Sequence, residues 1–431
     1  MSAQSEALEQ RLEFESETEK ITPYQWKVMY ASVAGYIFDG MDSILFVLVL
    51  PMIMKEWSLS SATAGLMVTI FLLGQVVGGL LMGIVADYLG RKNTMMFTVL
   101  TYAVSTAACA FAPNWVILSV FRFFTGFGCV GEWSAAATLI AETWPAKHRS
   151  KCASVMQSCW AWGSILGSFV VMAIAPIWGW RAVFLAGVLP AFIVLYIRRT
   201  IKETARFEKV VEKRKEDKSK GIKSKENSFT VLQLFSEKIL VKHVIIGAAM
   251  TSAELIVCWA FLTFAPTYMV NVRGYSIVKS STWFIVYNLG AGAGYLLWGS
   301  IADKIGRKPT FLIYILISAI FTPLYLLWSP TEAWLYILGP LAGFGTLGIY
   351  SGFATYYPEI FPTRLRSTGT AFAPQIGRIV STAGPWAIGA MAMTYGYGVA
   401  MSLACLTWLW ALAALAFAPE TRGKMLEDII K

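Results

Sequence analysis

Long apolar runs alternate with short polar breaks along the whole chain. Crossing a bilayer takes about 20 mostly apolar residues in a helix. Twelve runs meet that need, at about 26–51, 62–86, 94–111, 116–140, 152–176, 181–198, 242–267, 280–302, 310–328, 333–357, 368–394 and 398–418. The pattern predicts an all-α integral membrane protein with 12 transmembrane helices. Residues 1–24 form a polar tail, 25–200 a first six-helix bundle, 201–241 a linker, 242–418 a second bundle and 419–431 a closing tail. The N-terminus is polar and acidic through Lys20, with no cleavage pattern of a signal peptide, so the first run is read as the insertion signal. Within the linker, Glu203–Asn227 is rich in Lys and Glu and is read as a solvated tether that also anchors to anionic lipid.

The breaks carry the charge. With an even number of spans, thirty Lys and Arg fall on the side of the two termini and only Lys55, Arg181, Arg273 and Lys279 on the other. The positive-inside rule then places both termini in the cytoplasm, as in a protein of the plasma (inner) membrane.

The two bundles repeat each other. Gly83-Ile-Val-Ala-Asp87-Tyr-Leu-Gly90-Arg91-Lys92 returns 216 residues later as Gly299-Ser-Ile-Ala-Asp303-Lys-Ile-Gly306-Arg307-Lys308. Glu142-x-x-Pro145-x-x-x-Arg149-Ser150 returns as Glu359-x-x-Pro362-x-x-x-Arg366-Ser367, and Gly126-Phe127-Gly128 as Gly343-Phe344-Gly345, both after 217 residues. Three motifs in one order at nearly one offset indicate a duplicated unit. These loops, the Arg122-x-x-x-Gly126-x-Gly128 stretch and the closing Pro419-Glu420-Thr421-Arg422-Gly423-Lys424 resemble the major facilitator superfamily over almost the whole chain. The resemblance implies two pseudo-symmetric six-helix bundles, a substrate site between them near the midplane, and alternating access. It also implies a cytoplasmic gating latch at Gly83, Asp87, Arg91, Glu142 and Arg149 and, in the second copy, Asp303, Arg307, Glu359 and Arg366. There Asp87 can accept from the amides of a neighbouring helix, and Arg149 and Arg366 can pair with Glu142 and Glu359.

Composition narrows the chemistry. Hydrophobic residues are 56% of the chain, charged ones 14%, and the mean hydropathy is +0.58; a soluble domain carries about 25% charged residues. A net charge of +10 does not point to nucleic acid, because the charges crowd between apolar runs and form no aromatic–basic face. Six cysteines without a C-x-x-C spacing, and His148 and His243 alone, predict no metal site and no disulfide framework. No G-x-x-x-x-G-K-[ST] loop is present, so ATP-driven transport is not supported and no cofactor is expected. The G-x-G-x-x-G copies at Gly126 and Gly343 lie inside apolar runs and read as helix-packing faces. No nucleophile–base pair suggests an enzyme.

A charge inside hydrocarbon costs at least about 2.5–3.5 kcal/mol on insertion scales and is a functional candidate by default. Six stand inside the runs: Asp39, Asp42, Arg122, Glu132, Glu254 and Arg378. Asp39 and Asp42, spaced i, i+3, share a helix face and resist ionising together, so one can load and release a proton; alternatively one pins a kink at Gly40. Their pattern is similar to that of aromatic-acid/proton and sialate/proton symporters. Arg122 pairs with one of them or grips a substrate carboxylate through its fork. Its repeat position is Gly339, so the fold does not require the charge. Glu132 either takes part in proton coupling or braces its helix. Arg378, with Gln375 one turn before it, binds an anion from the second bundle, pairs with Glu254 or snorkels. Gln157, Trp160, Trp162, Tyr287, Asn288, Tyr350 and Tyr356 are candidate pocket lining. The expectation is a monomeric proton-coupled symporter of an organic anion, an aromatic or small monocarboxylate. A sugar or polyol/proton symporter and a proton-driven exporter of small metabolites are the alternatives.

Overall fold

A computed structural model describes residues 21–144, 146–200, 234–235, 237–329, 331–361 and 365–422; at some helical positions it describes the backbone alone. The linker 203–227 and most of both tails therefore lie outside the described residues. The described chain is helical between short turns. The first half comprises α1 (Pro23–Glu56), α2 (Ser61–Leu89), α3 (Arg91–Cys109), α4 (Trp115–Thr143), α5 (Ala146–Leu185) and α6 (Ala191–Thr200). The second holds α7 (Lys238–Asn271), α8 (Ile277–Ile305), α9 (Arg307–Leu327), α10 (Glu332–Gly348), α11 (Tyr350–Ile360), α12 (Arg366–Ser381), α13 (Gly384–Tyr395), α14 (Tyr397–Ala404) and α15 (Trp408–Phe417). Eight of the described helical stretches are each long and apolar enough to cross a membrane. With the remaining runs they form the twelve-helix fold.

Local chemistry sets the ends. Thr22 caps α1 in a capping box with Gln25, and Pro23 opens the helix, where a missing N–H costs nothing. The second glycine of each repeated motif has a left-handed backbone, φ 91° at Gly90 and 105° at Gly306. It ends one helix and starts the next at the following Arg, which a side chain with a Cβ would resist.

Four of the runs read as single spans are in fact divided. The fifth and sixth are joined inside α5, which reverses at Gly179 (φ 76°) just after Pro176; the sixth continues through a 3-10 turn, Ala186–Val188, into α6. The tenth is α10 plus α11, the eleventh α12 plus α13, and the twelfth α14, a 3-10 turn at Cys405–Thr407, and α15. The eleventh breaks because Pro385 has no N–H for the carbonyl of Ser381, four residues back.

Within each half the repeated glycines let backbones touch. A Cβ on Gly126 would strike the carbonyl of Phe71 on α2, and one on Gly343 would strike that of Tyr287 on α8. The helix-packing reading of those two motifs therefore fits the geometry. The halves meet along α2 and α13 at the end of the bundle away from the termini. There Ser61 and Tyr397 share a 2.5 Å hydroxyl contact, Thr69 donates to the Thr382 carbonyl at 2.7 Å, and a Cβ on Gly65 or Gly389 would overlap the backbone of Pro385 or Ser61. The Thr382 carbonyl is free to accept because it lies at the break between α12 and α13. This far face is sealed.

Candidate functional site

Two centres of polar chemistry lie in the middle of the bundle. The first is inside the first half. Asp42 on α1 and Arg122 on α4 form an ion pair, Nη1 to Oδ2 at 3.2 Å, with both side chains fully buried. The guanidinium carbon lies 4.8 Å from the ring centre of Phe46 and 4.6 Å from that of Phe71, a cation–π clamp. Arg122 Nε and Nη2 and Asp42 Oδ1 have no hydrogen-bond partner. A purely structural pair would need those atoms satisfied to offset desolvation. One hydrogen bond and two rings hold the charge, and the rest of its bonding capacity is unused.

The second centre is a small cavity between the halves, of about 70 Å³. From the first half come Tyr36, Asp39, Gln75, Val130 and Trp160; from the second come Glu254, Leu255, Cys258, Trp259, Tyr295, Leu347, Tyr350 and Arg378. Arg378 sits at the end of α12. Its Nη1 donates to Gln75 Oε1 at 3.0 Å and its Nη2 to the Tyr350 hydroxyl at 3.1 Å, while its Nε is buried without a partner. Asp39 Oδ1 and Glu254 Oε2 are also buried and unpartnered. On α2, Gln75 is one turn beyond Phe71, so one face of α2 touches both centres. Phe71 also meets Trp259 of the second half edge-on, ring centres 5.6 Å apart.

The structure thus separates residues that the sequence grouped. Asp39 lines the cavity, whereas Asp42 turns to Arg122. Arg122 has no exposed surface and is not part of the cavity wall, so its fork meets Asp42 and not a ligand there. Glu254 and Arg378 share the cavity without an ion pair among the described contacts; the partners of Arg378 are Gln75 and Tyr350. Snorkelling of Arg378 is ruled out by that position. Trp160 and Tyr350 are among the residues that line the cavity. Gln157, Gln375 and Asn288 are not among its lining residues, and Asn288 Nδ2 donates to its own helix at the Phe284 carbonyl, 2.9 Å. Tyr287 stacks on Phe261 at 4.4 Å, Tyr356 donates to the Pro419 carbonyl at 2.7 Å, and Trp162 is 44% exposed. The side chain of Glu132 lies outside the described residues. Missed by the sequence reading were Gln75, Tyr36, Tyr295 and Trp259. Tyr36 had a usable signal, one turn before Asp39 on the same face.

A third cluster holds the second copy of the repeated motif. Arg307 Nη1 pairs with Asp303 at 3.0 Å, and its Nη2 and Nε pair with Glu359 at 3.1 and 3.3 Å. Thr421 donates to the same Glu359 carboxylate. The acid that receives the first amides of α9 is Glu420 and not Asp303: Arg307 N and Lys308 N each donate to it at 2.9 Å. Partial burial pushes the Glu420 carboxyl up, but the amides of Arg422, Arg307, Lys308 and Thr421 outweigh it and hold the group below its usual range. The side chains of the first copy, Asp87, Arg91, Glu142 and Arg149, and that of Arg366, lie outside the described residues, and Gly83 is described only as part of the α2 backbone. Among the described residues no group of His, Cys, Asp and Glu could hold a metal ion.

Comparison with known proteins places this geometry. The family model described as Major Facilitator Superfamily matches residues 33–287 and 280–428. The sialic acid transporter NanX of Escherichia coli is 28% identical, over 94% of this chain and 96% of its own. The benzoate transport protein of Acinetobacter baylyi is 26% identical, over 85% of this chain and 83% of its own. The fold is also that of the xylose transporter XylE of E. coli in a partially occluded inward open conformation, with a TM-score of 0.75 at 21% identity over 94% of this chain and 100% of that one. A duplicated twelve-helix fold, a cavity between its halves and the family match together make this chain a membrane-spanning transporter of the major facilitator superfamily, not an enzyme.

Proposed function

We propose that the chain is a secondary active transporter that moves an organic anion, an aromatic or small monocarboxylate, together with a proton. The observation that carries this reading is the setting of Arg378. Its guanidinium lies in an aromatic-walled cavity between the halves, bonded to two neutral groups and facing two carboxylates. A neutral substrate has no need of that charge, whereas a carboxylate matches the fork. Sialic acid and benzoate, named for two of the relatives, are both organic acids.

Electrostatics then ties anion to proton. The cavity holds Arg378 against Asp39 and Glu254. Two like charges about 5 Å apart at an effective dielectric near 20 repel by roughly 3 kcal/mol. An entering anion meets that repulsion unless one of the acids is protonated. Asp42 and Arg122 supply a second proton-sensitive element: neutralising Asp42 would free the buried guanidinium from its single hydrogen bond. Asp39 and Asp42 are the coupling acids in this scheme, and Glu254 faces the substrate. The excess of Lys and Arg on the side of the termini supports cytoplasmic tails in the inner membrane, and the complete pathway within one chain supports a monomer.

The test is uptake into proteoliposomes with an inward proton gradient, offering labelled benzoate, lactate and a neutral hexose in parallel. Acid uptake that a protonophore abolishes, and that Arg378→Ala loses, is the expected result. The closing Pro419–Lys424 motif favours a second reading, a sugar/proton symporter. Hexose uptake without response to either acid would establish that reading and overturn ours.

A further inference from the structure

We propose that Gln75 is an internal stand-in for the substrate's carboxylate, holding the Arg378 fork in the empty carrier and giving it up when an anion enters. The inference rests on the reading of Arg378 as the anion-binding group, and it adds a specificity-determining residue on the opposite half.

The argument begins with which N–H groups an anion can reach. Arg378 Nε is buried and has no partner. The reachable edge is the Nη1–Nη2 pair, and both of its nitrogens are in use, by Gln75 Oε1 at 3.0 Å and the Tyr350 hydroxyl at 3.1 Å. The two occupants differ chemically. A tyrosine hydroxyl accepts from the guanidinium and still has a proton to donate, so it can stay and bond an arriving carboxylate oxygen. Gln75 cannot stay as it is. Arginine only donates, so the atom facing it must be the carboxamide oxygen, which takes one of the two N–H groups of Nη1 and repels a carboxylate oxygen brought beside it. The carboxamide must leave the fork, or turn over so that its NH₂ group donates to the anion.

The tie also crosses the molecule. Gln75 is on α2 of the first half and Arg378 on α12 of the second. One turn further along α2, a Cβ on Gly79 would touch the Gln375 side chain of α12. One turn the other way, Phe71 packs on the Arg122 guanidinium. An anion that displaces Gln75 therefore releases a cross-half hydrogen bond on the same helix face that touches the buried ion pair. Beside α1, which carries Asp39 and Asp42, α2 thus links the anion site to the proton site.

Removing the stand-in should strengthen anion binding, and charging it should block binding. Benzoate is the probe, titrated against the full-length protein in detergent by calorimetry. We expect Gln75→Leu to bind benzoate about tenfold more tightly than the natural protein, with slower turnover in proteoliposomes because the cross-half tie is lost. Gln75→Glu should bind it at least a hundredfold more weakly than Gln75→Leu, since a built-in carboxylate occupies the fork. A residue with a merely structural role would shift both variants the same way. Weaker binding by Gln75→Leu, or equal affinities in the two variants, overturns the stand-in while leaving the anion site intact, provided that Arg378→Ala has lost binding. Unchanged binding by Arg378→Ala, or no benzoate binding by any of the proteins, overturns the reading of Arg378 and the stand-in with it. Melting curves of each variant identify any that fail to fold, and Gln75→Met replaces Gln75→Leu in that event.

Discussion

Neutralising Asp42 tests the buried ion pair directly. Asp42→Asn leaves Arg122 charged, fully buried and without its only hydrogen-bonding counter-ion. Removing one partner of a buried pair costs about 3–5 kcal/mol. The rings of Phe46 and Phe71, 4.8 and 4.6 Å from the guanidinium carbon, remain in place, so the lower end applies, about 3 kcal/mol. A fall of several degrees in melting temperature follows. The double variant Asp42→Asn/Arg122→Met removes the stranded charge, and its apolar side chain suits the two rings. It should recover most of the lost stability, because replacing a whole buried pair is often neutral or better. Gradient-driven accumulation should not recover with it. Two assays in proteoliposomes separate the effects: accumulation of the best-transported acid under an inward proton gradient, and exchange of labelled for unlabelled acid at equal pH. The double variant should exchange and fail to accumulate. Natural stability in Asp42→Asn would refute the buried-charge argument, and gradient-driven accumulation by the double variant would refute the pair's part in coupling.

Three further outcomes follow from other parts of the fold. Gly65→Trp should hold the far face open, since even a Cβ at that position overlaps the Pro385 backbone; a thiol reagent reaching a cysteine placed at Ser61 much faster than in the parent would show it, and an unchanged rate would not be compatible with the seal. Glu420→Gln should cost about 1 kcal/mol through the weakened cap on α9. Because the folded carboxyl lies below its usual range, its contribution is present above the unfolded value near pH 4 and is lost as pH falls through the folded value; the gap between Glu420→Gln and the parent in detergent melts should therefore narrow on acidification. Arg181→Ala should cost less than about 1 kcal/mol, because its bond to Glu56 is made with side chains 42% and 41% exposed, and a loss as large as that of Asp42→Asn would contradict the weight given to burial.

The fold was legible because lipid leaves helices few alternatives, and because the repeated motifs carry their own geometry in Gly90 and Gly306. The helix breaks were not. Pro51 and Pro266 lie within continuous α1 and α7, whereas Pro385 marks an interruption; composition does not tell a tolerated proline from a breaking one, since packing around the freed carbonyl decides. In the site, charge drew attention to Asp39, Asp42, Arg122, Glu254 and Arg378. Spacing could not sort them, because residues three apart on a helix differ in direction by only about 60°, and the neighbouring helix determines which turns inward. Gln75 carried no charge to mark it. Its importance comes from a partner 303 residues away in the chain.

The divided spans leave the two halves mechanically unequal. In the first half α1 to α4 are unbroken rods, while three of the second half's six spans are jointed. Two of those joints flank the cavity: Arg378 is one turn before the break at Thr382, and Tyr350 opens α11 directly after the break at Ile349. A small flexion at either joint moves one arm of the fork relative to Gln75 without tilting a whole bundle. Closing around a ligand and tilting the halves are therefore separable motions with separate stiffness. Stiffening a joint would slow occlusion while leaving the resting cavity as it is.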